Sequence, residues 1–325
     1  VIVLSTGEKF LEMTVALLMF AAVVGIILFL ASRVSGRKSD RWVAFLYLTP
    51  VLLMITVGLL YPAVTTVYQS FFDAVGNTFV GLENYKTIFT SSDQQTVLRN
   101  TVLWVLVTPF VATGVGLLYA ILVDRARLEA FAKALIFLPM AISFVGASII
   151  WKFVYEYRPD QVGVKQIGLL NQIVVWLGGT PQQWLVESPW NTLFLILVMI
   201  WIQAGFAMTV LSAAIKAIPE DIVEAARLDG VTRFGMFRFV TLPSIRPAVV
   251  VVLTTIGIGT LKVFDIVRTM TGGQFSTSVV ANEFYSQSFR SGEQGLGAAL
   301  AVVLFLLVIP IVVYNIRQLR ASEAR

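Results

Sequence analysis

The side chains that could do chemistry gather in residues 219–243, PEDIVEAARLDGVTRFGMFRFVTLP, where carboxylates and guanidiniums crowd between two strongly apolar stretches. Their types limit what that chemistry can be. The chain has no histidine and no cysteine. Imidazole ligation, Ser-His catalysis and the usual proton shuttle are therefore absent, as are disulfides and thiolate metal sites. No GxxxxGK[ST] phosphate loop is present, so the chain has no nucleotide engine of its own. A cluster of this kind suits binding and mechanical work better than bond making.

A second set of ionisable groups lies inside an apolar stretch. Lys262 and Asp265 stand three residues apart in a run expected to span the membrane, and so on one helix face. Such groups either face a polar cavity or pair with each other to hold the helix, and Arg268 could share Asp265. An intramembrane enzyme would need a carboxylate dyad or a Ser-Lys pair, and the carboxylates are too few for a convincing dyad. A secondary transporter or channel would carry inverted repeats with broken helices in matched halves. No convincing repeat is found.

The elements that position these groups are membrane helices. Of 325 residues, 57% are hydrophobic and only 13% charged, with mean hydropathy +0.83. Soluble domains are about 25% charged. Lipid is therefore the solvent for most of the chain. Seven apolar runs approach the roughly 20 residues that cross a bilayer: 11–32, 42–66, 97–123, 133–155, 190–214, 246–268 and 295–316. The first has its basic residues after it and is too long for a secretory leader, so it reads as a retained transmembrane helix.

Basic residues set the orientation. With the C-terminus in the cytoplasm, the inner segments hold Arg33, Arg37, Lys38 and Arg41, then Arg125, Arg127 and Lys133. They also hold Lys216, Arg227, Arg233, Arg238 and Arg246, then Arg317, Arg320 and Arg325, making 15 of the 24 Lys and Arg. The bias follows the positive-inside rule and places 215–245 in the cytoplasm. The net charge of +5 is better explained by this bias than by nucleic acid. Two outer segments are substantial, 67–96 and 156–189. Trp176, Trp184 and Trp190 suit a membrane–water interface. These segments either anchor and pack or offer a surface to an external partner.

Local rules then shape 219–243. Pro219 suits a first helical turn. Glu220, Asp221 and Glu224 favour the positive end of the helix dipole. Gly230 sits where the helix should stop. Thr232 can cap a second short helix to about Val240, closed by Pro243. Ile222, Val223, Ala226 and Leu228 give the first helix an apolar side, and Ala225 and Ala226 keep its surface thin. Such a helix either lies on lipid or docks into another protein.

The spacing Glu224-Ala225-Ala226, three residues, Gly230, nine residues, Val240-Thr241-Leu242-Pro243 resembles the signature of the permease subunits of binding-protein-dependent ABC importers, with Val in place of Ile. FVGLENYKTIF (79–89), LRNTVLW (98–104), ALIFLPMAIS (134–143) and TMTGGQF (269–275) are similar to maltose-type sugar permeases, nearest in kind to α-glucoside permeases. The likeness runs from about 42 to 317.

The resemblance implies an all-α, polytopic fold with a type I ABC importer permease core. An extra N-terminal helix would occupy 1–41, the permease domain 42–325, and the coupling segment 215–245. It implies a second, homologous permease subunit, a dimer of ATP-binding subunits that uses ATP and Mg, and an extracytoplasmic sugar-binding protein, all at the cytoplasmic membrane. Glu224, Ala225, Ala226, Arg227, Asp229 and Gly230 would meet the ATPase. Ser143, Gln203, Phe206 and Thr260 fall near the sugar-lining positions of the family, with Lys262 and Asp265 as further candidates. Met140, Met208 and Gly259 replace aromatic or amide positions of the maltose pattern. Trp151, Trp201 and Met208 are expected to pack.

Overall fold

The computed structural model describes residues 6–33, 39–124, 127–159, 161, 163 and 165–323. Arg37, Lys38, Arg125 and Arg325 lie outside the described residues. Among those described, the secondary structure is helical, with one isolated bridge between Phe72 and Phe79. Two compact units divide at Thr66 and Val67.

The first unit contains α1 (Thr6–Arg33) and α2 (Ser39–Ile55), followed by a π turn at Thr56–Leu60. Its apolar side chains, such as Leu17, Leu18 and Met54, are exposed. Backbone groups in lipid must be satisfied within the segment, and a continuous apolar helix does that.

The second unit starts within α3 (Tyr61–Gln69) and continues with α4 (Glu83–Thr90) and α5 (Ser92–Val123). The fourth apolar run is not one straight span. It forms α6 (Glu129–Phe137), a 3₁₀ turn at Leu138–Ala141 and α7 (Phe144–Val154), bent by 104°. Pro139 tightens the turn, and Ile142 and Ser143 are extended. The Gly146 N–H donates to Ser143 Oγ at 3.1 Å, which caps the new helix. Next come α8 (Leu169–Trp176), α9 (Trp190–Lys216) and α10 (Glu220–Leu228).

The sixth run also departs from expectation. The separate short helix to Val240 is absent. Instead α11 (Arg233–Gly235) passes through a π turn at Met236–Thr241 into α12 (Leu242–Leu261), and the whole counts as one apolar span. Leu242 N–H bonds to Phe237 O, five residues back. The ladder thus shifts immediately before Pro243, which has no N–H to give. The span ends at Leu261, not 268. After it come α13 (Asp265–Met270), α14 (Val280–Ser286) and α15 (Gln294–Glu323). With the bent pair counted once, seven helical segments among the described residues are long and apolar enough to cross a membrane.

The core of the second unit lies among α5, α9 and α12, around Trp104, Leu195, Met199, Leu211 and Ile256. Met208 is buried there, with Trp151 and Trp201 packed against it. Small residues set the spacing. A Cβ on Gly116 would stand 2.7 Å from Met208 N, so α5 and α9 meet backbone to backbone. A second cluster joins Ile88, Val97, Val280, Leu300 and Val303 from α4, α5, α14 and α15.

Candidate functional site

The charged segment forms a short lever between α9 and the sixth span. Pro219 is extended and sits just before α10, one position earlier than a first-turn proline. Glu220 and Asp221 occupy the first turn and Arg227 the last, each favourable to the helix dipole. The exit has full Schellman geometry. Gly230 has φ of 72°; its N–H donates to Arg227 O at 3.1 Å, and Val231 N–H donates to Ala226 O at 3.2 Å. Thr232 then caps α11 by accepting from Gly235 N–H at 3.1 Å.

Burial divides α10 sharply. Ala226 is buried and Val223 half-buried, whereas Glu224, Ala225, Arg227, Asp229 and Gly230 are exposed. The expected apolar side is only partly packed. Ile222 is exposed, and Leu228 is 89% exposed. Leu228 lies five positions from Val223, about 140° around the helix, a spacing that already argued against a shared face. Phe234 and Phe239 are exposed further along. Behind the lever lies a cavity of about 960 Å³, lined in part by Asp124, Lys216, Glu220, Arg227, Arg233 and Phe237.

An ion cluster sits beside that cavity. Lys133 Nζ donates to Glu129 at 2.7 Å, to Asp124 at 3.3 Å and to Ser212 Oγ. Lys216 meets the same two carboxylates. The cluster ties the end of α5, the start of α6 and the end of α9 together, and its Asp124 and Lys216 line the same cavity as the lever.

The residues expected along a solute path are scattered. Gln203 and Phe206 are half-buried on α9, either side of Gly205, where an added Cβ would stand 2.5 Å from Ile136 O, so only a glycine lets α9 pass this close to α6. Ser143 caps α7 at the break. Thr260 is fully buried, and its hydroxyl donates to Ile256 O at 2.8 Å. Lys262 and Asp265 do not share a helix face, because α12 stops before Lys262 and Asp265 opens α13. Among the described residues they form no ion pair with each other, and Asp265 forms none with Arg268. Arg268 instead places its guanidinium 4.8 Å from the Tyr285 ring centre.

Sequence reasoning missed two buried asparagines. Asn100 Nδ2 donates to Ser276 O at 2.6 Å and Ser278 O at 3.0 Å, and Asn191 Nδ2 donates to Phe275 O at 2.7 Å. They clamp the turn at the end of TMTGGQF, where Phe275 and Ser276 have φ of 57° and 59°. Non-glycine residues rarely adopt that region. The available signal was an Asn-Thr pair near the start of two apolar runs, at 100–101 and 191–192.

Residues 112–321 match the family described as "Binding-protein-dependent transport system inner membrane component". The chain belongs to that family. The matched region contains the lever, the ion cluster and every solute-path candidate. This inner membrane component is 49% identical over 278 residues to the osmoprotective compounds uptake permease protein of Synechocystis sp., covering 86% of this chain and 99% of the relative. It is 48% identical over 275 residues to the alpha-glucoside transport system permease protein of Rhizobium meliloti, covering 84% and 81%. Its fold matches a bacterial ABC transporter that imports alginate, with TM-score 0.73, 21% identity and coverage of 87% and 97%. The permease is a multi-pass, all-helical transport subunit, not an enzyme.

Proposed function

We propose that this permease subunit carries a sugar, an α-glucoside or another oligosaccharide, across the cytoplasmic membrane, driven by a separate ATPase dimer. Residues 42–325 serve as the permease domain and 1–41 as an added N-terminal helix. One observation carries the reading: an exposed lever, α10 closed by Gly230, in a chain that has no phosphate loop of its own. Its exposed Glu224, Ala225, Arg227, Asp229 and Gly230, with Leu228 beside them, offer the surface that the ATPase grips. Ala226 fixes the helix from behind. ATP and Mg are bound by that partner.

The charge bias supports a cytoplasmic C-terminus, with 215–245 on the same side. The outer segments then face an extracytoplasmic sugar-binding protein. A second, homologous permease covers part of the exposed apolar surface and lipid the remainder. Gln203, Phe206 and Ser143 are the leading solute contacts. Thr260 shapes the path from within the wall, and Lys262 and Asp265 contribute at its outer end. The α-glucoside reading draws on the relative from Rhizobium meliloti.

The relative from Synechocystis sp. favours a second cargo class, osmoprotective solutes. Uptake of a labelled panel of α-glucosides and osmoprotective solutes, with and without the binding protein, tests both. Copurification tests the lever: a permease that never retains an ATPase would refute the coupling assignment.

A further inference from the structure

The outer segment 156–189 is more than an anchor. Asn171 is fully buried and uses all its amide capacity there. Its Nδ2 donates to Glu156 O at 2.9 Å and Gln182 O at 3.1 Å, while its Oδ1 accepts from Gln182 N–H at 2.9 Å and Trp184 Nε1 at 3.0 Å. The Trp184 ring is fixed a second time by an edge-to-face contact with Phe194, centres 4.9 Å apart. The result is a preorganised indole wall, carried on a turn and held by Asn171 of α8 and Phe194 of α9.

That wall bounds a cavity of about 280 Å³ lined by Gln182, Trp184, Glu187, Trp190 and Phe194. Three aromatic rings and two oxygen-bearing side chains converge on a space at the small end for ligand sites. The Gln182 amide NH₂ is occupied by Thr180, which leaves its Oε1 as an acceptor. The Glu187 carboxylate is held by no ion pair among the described residues. Trp190 is 62% exposed at the rim.

We infer that this cavity is an outer sugar subsite that holds one pyranose ring of the solute before it enters the path. A pyranose has C–H faces that pack on aromatic rings, and hydroxyls around its edge that donate to carboxylate and amide oxygens. The lining supplies both kinds of partner. Its volume suits one ring and not an extended chain. The inference rests on the sugar-permease reading above.

The test uses the complete transporter in nanodiscs, without its binding protein, and methyl α-glucoside as the probe. Saturation-transfer NMR should show saturable contact to the ring C–H protons. Removing one stacking face in Trp190→Ala should weaken binding about tenfold. Glu187→Gln should weaken it too, a change that a purely lipid-anchoring role for Trp190 would not produce. A signal that survives in both variants places the sugar elsewhere and overturns the subsite. So does no signal in the wild type while glycoside import with the binding protein is normal, and in that case the permease reading stands. If glycoside import itself fails, the sugar reading and the subsite fall together.

Discussion

Gly230 offers the sharpest test of the lever. A Cβ there would meet nothing of this chain within 4 Å, so within the permease a substitution acts through the backbone. At φ of 72° an L-residue costs about 1–2 kcal/mol, with β-branched residues at the upper end. The bend is held by two hydrogen bonds, Gly230 N–H to Arg227 O and Val231 N–H to Ala226 O. At about 1 kcal/mol each, they supply roughly 2 kcal/mol. Gly230→Ala should therefore keep most of the bend, while Gly230→Val should nearly cancel it. Gly230→Asn should be mildest, since Asn visits this region with its own local hydrogen bonds. A loss of 1–2 kcal/mol lowers the ratio of bent to unbent about 5–30-fold, so a bend held by roughly 2 kcal/mol falls from nearly full occupancy to about half at the upper end. Solute uptake and binding-protein-stimulated ATP hydrolysis in proteoliposomes should fall in the order Asn, Ala, Val, with membrane insertion unchanged. Equal activity across the series, or Asn as poor as Val, would refute the reasoning.

Three further predictions concern other parts of the second unit. Glu224→Lys reverses an exposed charge on the proposed docking face, so ATPase retention on copurification should drop while folding is kept; retention at the wild-type level would count against that face. Lys133→Met removes the donor shared by Asp124, Glu129 and Ser212 but leaves Lys216 on both carboxylates. It should cost about 1–3 kcal/mol, read as a lower melting midpoint in detergent, and adding Glu129→Gln should recover part of it. Asn171→Ala removes four hydrogen bonds that hold residues 156–189, about 2–4 kcal/mol of local stability. Limited proteolysis should then cut within 156–189 far faster than in the wild type, while the membrane spans stay protected.

The sequence by itself determined the apolar spans and the lever. A helix in lipid satisfies its backbone within itself, so length and apolarity are enough to find it. The lever is equally local: Pro219, the acidic first turn, the Gly230 exit and the Thr232 cap interact within a few residues. Tertiary structure decided whatever depends on remote partners. The break at Ile142 and Ser143, the run through Pro243 and the early end at Leu261 lie where polar residues interrupt apolar runs, and hydropathy alone does not say whether a helix breaks, continues or stops at such a point. Lys262 and Asp265 lost their shared face there. Asn100 and Asn191 found their acceptors 176 and 84 residues away, and Lys133 met Ser212 across 79. Spacing cannot show such bonds, because they exist only after α5, α9 and the loop beyond α13 have packed together.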